Sequence, residues 1–332
     1  MTNPTIAELG EHALIERILR RLDIPAWVEV GPGDDAAVVK PPRGRREVFT
    51  TDALVDGVHF DQAFVPPDAI GHRALAVNLS DLAAMGAAPR FAVLSLSLPA
   101  DLPVADFDGI VTGIAALAAS ERVTVVGGNL ARTPGPLAIH ITAVGTVKRR
   151  SVMTRAGARP GDFVYVTGSI GAAAAGLQML RGTGEARAES CIERYLRPTA
   201  RLRAGLLLGR NRAASSCVDL SDGLADGVAR IAEASRVGIT IDAAELPIDA
   251  DTRRTFEAQG LSPVDAAITG GDDYELLFTV RPRMRGRLRA AIDRCGVGIT
   301  RIGICTGDGA LIVRATADAP PTPLPSGFTH FR

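Results

Sequence analysis

"KRRSVMTRAGARPGD", residues 148–162, is the stretch that divides this chain. It is polar and closes on Pro160-Gly161, a turn-forming pair. Directly after it, "FVYVTGSIGAAAAGLQML" (163–180) reads as a strand followed by a helix. A fresh strand and helix after a polar turn mark the start of a second folding unit. The boundary therefore falls at 148/149, with domains expected over 1–148 and 149–332. The length of 332 residues is too great for one ordinary core and sufficient for two.

N-terminal to that stretch, the periodicity predicts a first helix over 5–22 and a strand over 47–55. A long helix over 68–89 is stopped by Gly86 and Pro89. In "RFAVLSLSLPA" (90–100), Leu94, Leu96 and Leu98 alternate with Ser95 and Ser97, the pattern of a half-buried strand. A helix near 104–120 and the strands "RVTVVGG" and "LAIHITAVGTV" complete the first half. C-terminal to it, helices are expected at 191–209, 223–236 and 284–295, and strands at 238–242, 274–280, 300–304 and 310–315. "RGTGEARAES" (181–190) reads as a mobile surface loop. The mixture predicts an α+β protein of two α/β-type domains with a cleft between them.

The chain is 46% hydrophobic and 22% charged, an ordinary globular mixture. Lys plus Arg and Asp plus Glu both number 37, and this balance argues against a dedicated nucleic-acid binder. Cys191, Cys217, Cys295 and Cys305 form no C-x-x-C pair, so neither a zinc site nor a disulfide framework is indicated. They read as isolated thiols in a reducing compartment. No stretch approaches the roughly 18 apolar residues of a membrane span. The acidic opening "MTNPTIAELGEH" lacks a signal pattern, and a cytoplasmic location is expected.

Four acidic clusters stand beside apolar segments: "GPGDDAAVV" (31–39), "TTDALVDG" (50–57), "VDLSDGLADG" (218–227) and "ITGGDDYELLFTV" (268–280). Each alone is ordinary turn chemistry. Their recurrence at strand-to-loop junctions in both halves is not. Asp81 lies in a helix that is apolar on most sides, with Asn78 one turn earlier. It is either a helix-surface acid or a buried ligand, and its apolar neighbours favour the ligand. Oxygen donors with few His or Cys partners suit Mg2+ rather than zinc, and Mg2+ points to phosphate chemistry. The sequence has no G-x-x-x-x-G-K-[ST] loop, which excludes a P-loop enzyme. "DFDG" (106–109) without an H-R-D is not a protein-kinase signature.

"GDDAAV", "TTDALVDGVHF", "ALAVNLSDLAAMGAAP", "MTRAGARPGD", "VDLSDGLADG" and "GGDDYELLFT", in this order, resemble the thiamine-monophosphate kinase family. That family lies within the superfamily of aminoimidazole ribonucleotide synthetase and selenophosphate synthetase. The resemblance runs from about Gly31 to Phe331. It implies ATP-dependent phosphorylation of thiamine monophosphate to thiamine diphosphate. It implies a homodimer joined through N-terminal sheets, a C-terminal α/β sandwich and ATP in the cleft. It further implies Asp35, Thr50, Thr51, Asp52, Asp81, Asp219 and Asp222 as ligands of several Mg2+ ions. Gly128, Arg155 and Ser221 are then expected at ATP, and His59 and Asp272 at thiamine monophosphate. The acceptor phosphate is already ionised, so no catalytic general base is needed. The obstacle is repulsion between two anions, which metal ions and positioning relieve.

Two positions depart from the family pattern. Asn129 in "GGNLARTPG" stands where the family has Asp, and it is expected to serve both metal and ATP with a neutral oxygen. The C-terminal "PSGFTHFR" lacks Trp, which leaves Phe328 to stack on the thiamine. Another synthetase of the superfamily is the first alternative. The absence of any Cys before Cys191 counts against a selenophosphate synthetase. A non-catalytic nucleotide-binding scaffold is the second alternative, suggested by Asn129 alone. "PRGRR" (42–46), His12, His72 and His140 read as loop, surface or core residues without a site role.

Overall fold

The computed structural model describes residues 4–32, 34–182, 188–315, 320–325 and 327. The chain forms two compact units, residues 1–82 with 88–146, and residues 83–87 with 147–332.

The first unit begins with α1 (Ile6–Leu9) and α2 (Glu11–Leu19), where the sequence suggested one helix. Gly10, at φ +82°, separates them. That backbone conformation ends a right-handed helix, and glycine adopts it without a Cβ penalty. A small hairpin follows, β1 (Val28–Val30) with β2 (Val38–Val39). The loop between them carries Asp34 and Asp35. Trp27, just before β1, lies under the Arg90 guanidinium, 4.1 Å from the ring centroid. Arg90 also donates to the Lys40 carbonyl just after β2. One arginine thus grips both ends of the hairpin.

Next come β3 (Arg46–Val55), α3 (Pro67–Ala84), β4 (Ala88–Pro99), α4 (Val104–Glu121), β5 (Thr124–Thr133) and β6 (Ala138–Val147). The four long strands make one sheet in the order β3-β6-β4-β5. β4 pairs parallel with β5 and antiparallel with β6. The alternation read from "VLSLSL" holds: Leu94, Leu96 and Leu98 are buried, while Ser95 and Ser97 are partly exposed. Helices α3 and α4 touch backbone to backbone. A Cβ on Gly71 would lie 1.9 Å from the Ile110 carbonyl oxygen, and one on Gly113 would lie 1.9 Å from that of Asp68.

The second unit contains β7 (Phe163–Thr167), α5 (Ala172–Leu180), α6 (Glu189–Leu196), α7 (Leu202–Asn211), β8 (Ser216–Asp219), α8 (Leu224–Ser235) and β9 (Gly238–Asp242). It continues with α9 (Ala250–Ala258), α10 (Pro263–Thr269), β10 (Leu276–Val280), α11 (Arg285–Cys295), β11 (Ile299–Thr306), β12 (Leu311–Arg314) and β13 (Thr322–Pro323). Its seven strands run β13-β12-β9-β11-β7-β10-β8. β10 is buried along its whole length between two antiparallel neighbours. It therefore reads as a continuous apolar run rather than an alternating one. The main core joins Val164, Val166, Val218, Ile239, Leu277 and Ile302 to Val228 and Ile231 of α8.

The single helix expected over 191–209 is two helices, because Pro198 breaks the ladder between them. The short strands β1, β2, β8 and β13 and the helices α9 and α10 were not anticipated. α9 and α10 are short, and their starts are fixed by the Asp249 and Ser262 side chains, which accept the Thr252 and Asp265 amides. β8 has only four residues. The strand expected from residue 274 starts at Leu276. Of the stretch 181–190, residues 183–187 lie outside the described residues, and Glu189 already opens α6. All four cysteines are buried and none is in a disulfide. No helix among the described residues is long and apolar enough to cross a membrane.

Candidate functional site

In the second unit two acidic motifs lie side by side. The Leu220 amide donates to the Glu275 carbonyl at 2.8 Å, and the Tyr274 amide donates to the Leu220 carbonyl at 2.9 Å. The Asp272 amide then donates to the Ser221 carbonyl at 2.8 Å. These bonds continue the β8–β10 pairing, in which Leu276 faces Asp219. Asp219, Ser221, Asp222 and Asp272 are thereby held at one end of two strands. Asp219 is only 7% exposed, whereas Ser221, Asp222 and Asp272 are partly exposed. Arg155 is exposed, and its carbonyl accepts from the Ser235 hydroxyl at 3.1 Å.

The "GGDD" turn is unusual in its backbone. Asp272 and Tyr274 have φ of +68° and +50°, although neither is glycine. For an L-residue this region costs roughly 1–2 kcal/mol. Such strain persists where surrounding contacts over-determine it. The Tyr274 hydroxyl donates to Asp272 Oδ1 at 3.2 Å and orients that carboxylate.

The adjacent Asp273 has a different fate. It is 2% exposed, and its carboxylate accepts the Gly171 amide at 2.6 Å and the Ala173 amide at 3.3 Å. It caps α5 from a hundred residues away in sequence. Burial pushes its pKa up to about 7, against the lowering effect of those amides and of Arg194. Glu275 is 0% exposed. It accepts from the Thr167 hydroxyl and from Arg201 Nε, each at 2.6 Å, and from Arg194. Gly168 faces this carboxylate so closely that a Cβ there would lie 2.1 Å from Glu275 Oε1. The sequence reading missed Asp273 and Glu275 as separate groups. The signal was present, since an acid embedded in the apolar run "YELLFTV" must have partners to be buried.

In the first unit, Thr50 donates its hydroxyl to the Asp81 carboxylate. Asp81 is partly buried, between the surface and core readings of the sequence. Asn78 is fully buried, and its Nδ2 donates to the Ala74 carbonyl at 3.1 Å. Strand alternation puts Asp52 on the same face of β3 as Thr50 and turns Thr51 to the other face. There the Thr51 hydroxyl meets the Ile141 carbonyl at 3.3 Å and the Thr142 hydroxyl at 3.0 Å. Asp35, Gly128 and Asn129 line a single cavity of about 810 Å³, walled also by Ile15, Ile18 and Leu96. Gly128 is needed there, because a Cβ would lie 2.4 Å from the Leu94 carbonyl oxygen. Asn129 is exposed and stands opposite Ser95 in the β4–β5 register. His59 Nδ1 accepts the Val55 amide at 3.1 Å, so the neutral ring carries its proton on Nε2. Phe328 lies outside the described residues.

Among the described residues no three His, Cys, Asp or Glu side chains gather closely enough to hold a metal ion. The candidate donors are nevertheless all oxygens, and the Thr50 hydroxyl holds the Asp81 carboxylate in place. That set suits Mg2+, which is commonly bound by one or two carboxylates together with substrate phosphates.

Known proteins resemble the chain in both of its halves. The family model described as AIR synthase related protein, N-terminal domain, matches residues 33–147, and its C-terminal counterpart matches 159–316. The thiamine-monophosphate kinase of Escherichia coli (strain K12) is 40% identical over 331 residues, covering 97% of this chain and 98% of that protein. The crystal structure of thiamine-monophosphate kinase from Stenotrophomonas maltophilia K279a is 37% identical, with a TM-score of 0.82 over 93% of this chain and 98% of the other. A solved structure of AaThiL complexed with AMPPCP and TMP is 32% identical, with a TM-score of 0.74 over 96% of this chain and 98% of that one. With both halves matched in order and relatives of this identity aligned nearly end to end, the chain belongs to the AIR synthase related family and, within it, to the thiamine-monophosphate kinases.

Proposed function

We propose that this chain transfers the terminal phosphoryl group of ATP to thiamine monophosphate, giving thiamine diphosphate. The observation that supports the reading is the pairing of residues 219–221 with 272–276, which holds Asp219, Asp222 and Asp272 at one end of β8 and β10. Residues 1–148 form the ATP- and Mg2+-binding domain in this reading, and 149–332 the second domain of the same superfamily.

In this reading Asp35, Thr50, Thr51, Asp52, Asp81 and Asn129 of the first unit, and Asp219 and Asp222 of the second, would each be a Mg2+ ligand. Bound Mg2+ supplies charge neutralisation between the two phosphate chains. Gly128, Asn129, Arg155 and Ser221 hold ATP. His59 offers its Nε2 proton to the thiamine monophosphate phosphate. Asp272, oriented by the Tyr274 hydroxyl, faces the cationic ring with a negative charge. The attacking phosphate oxygen is already ionised, so no side chain removes a proton. Positioning and electrostatics supply the catalysis.

The reading includes a homodimer. Phe49 of β3 is 65% exposed on the face of the sheet that also bears Thr51, a surface suited to a second copy. Buried thiols without disulfides accord with a cytoplasmic setting. Purified protein supplied with ATP, Mg2+ and thiamine monophosphate is expected to form thiamine diphosphate, with free thiamine left unchanged. No product at saturating substrates would reject the reading.

A further inference from the structure

The "GGDD" doublet contains two carboxylates with unlike surroundings, and only one of them has a role in the reading above. Asp273 touches neither substrate nor metal in that reading. It is almost wholly buried, and it reaches the first turn of α5 through the Gly171 and Ala173 amides. A cap alone does not account for it. The residue at the helix start, Gly171, sits at φ +84° and is followed at once by Ala172. Glycine is itself an acceptable N-cap, so α5 has little need of a buried charge from elsewhere. Burying that charge is unfavourable in its own right.

The turn, by contrast, needs an anchor. Asp272 and Tyr274, on either side of Asp273, both hold left-handed backbone conformations. Their amides are fixed on one side by Ser221 and Leu220. The Asp273 side chain is the fixture on the other side, toward α5. With it in place the chain is pinned before and after the strained peptides, and the Asp272 side chain has one direction in which to point.

We propose that Asp273 is a positioning residue for thiamine monophosphate: its grip on the start of α5 holds the turn in the conformation that presents Asp272 to the cationic ring. The inference rests on the kinase reading above. It divides the doublet into a residue that meets substrate and a residue that aims it.

Steady-state kinetics of the wild type, Asp273→Ala and Asp273→Asn test it, with thermal unfolding measured alongside. In Asp273→Ala the KM for thiamine monophosphate is expected to rise by about tenfold or more, as a loss of substrate binding should. The KM for ATP and kcat are expected to stay within about threefold. Asp273→Asn keeps one acceptor but sets its NH2 group against the second amide, so an intermediate rise is expected. A role confined to capping α5 lowers the melting temperature and the active fraction while leaving KM where it was. An unchanged KM for thiamine monophosphate in Asp273→Asn, with a lowered melting temperature, would therefore overturn the inference. Should Asp273→Ala fail to fold, the same-sized Asn variant decides. A wild type inert toward thiamine monophosphate sinks the kinase reading together with the inference. An active wild type with unaltered variants sinks the inference alone.

Discussion

"GPGDD" at 31–35 and "GGDD" at 270–273 are nearly the same words in two different physical settings. In the first, both Asp34 and Asp35 are exposed, and the Asp35 amide donates locally to Asp34 Oδ1 at 2.8 Å. The chain that follows, Ala36 to Val38, is largely exposed as well. In the second, Asp273 is buried and Glu275 after it more deeply still, because the next five residues form the fully buried interior strand β10. What packs behind a doublet decides whether its acids remain solvated or become part of the frame. The solvated pair is free to meet cations. The buried pair must be matched by amides, hydroxyls and arginines already in place.

The strongest way to break this contrast is to remove a partner from the buried side. Arg201→Met leaves Glu275 with Arg194 and Thr167, and an under-compensated buried charge costs about 3–5 kcal/mol. Urea unfolding is expected to show a loss of that order. A loss below about 1 kcal/mol, typical of exposed ion pairs, would mean that Glu275 is as well solvated as Asp35.

A smaller effect follows from pH. Burial raises the Asp273 pKa from an ordinary 3.8 to about 7. Between those values the native chain binds a proton that the unfolded chain has released. The contribution of this group to stability is therefore present below the unfolded value and lost as pH rises through the folded one. Arg194 of α6 and Glu275 are the charged groups that bear on it most directly, with opposite signs. Urea unfolding of the wild type and Asp273→Asn across this window is expected to show the wild type losing ground as pH rises. A pH-independent difference would place the folded pKa near its ordinary value.

The smallest effect belongs to the exposed doublet. Asp34→Asn is expected to change stability by no more than about 0.5 kcal/mol, as surface substitutions do. A larger loss in urea unfolding would reveal a buried role for the first doublet too.

Much of this architecture was legible in the sequence because burial writes periodicity. "VLSLSL" announced one covered and one open face, and β4 has them. "LLFTV" announced a strand without announcing why it does not alternate; the reason is that β10 is covered on both faces. Helix ends were less legible. The apolar spacing runs straight through Gly10 and Pro198, so the pattern joined what the backbone separates. The short helix α9 was hidden because it contains few apolar residues, α10 because seven residues are too few to show a period, and their caps are polar signals that also occur in turns. At the proposed site, the motifs named candidate residues without distinguishing their surroundings. No spacing rule distinguishes Asp272 from Asp273. The difference lies in the Gly171 and Ala173 amides, about a hundred positions earlier, which only the fold brings near.

The grip of Arg90 on the β1–β2 hairpin has an optical consequence. Trp27 is the only tryptophan in the chain, and it lies against that guanidinium and beside Phe91, whose ring centroid is 6.3 Å away. The ultraviolet emission of the whole protein above the tyrosine band thus comes from one ring at the foot of the loop bearing Asp35. Any change that exposes the ring to water moves this emission to the red. The protein thus carries its own fluorophore beside the loop that bears Asp34 and Asp35, readable in solution without a label.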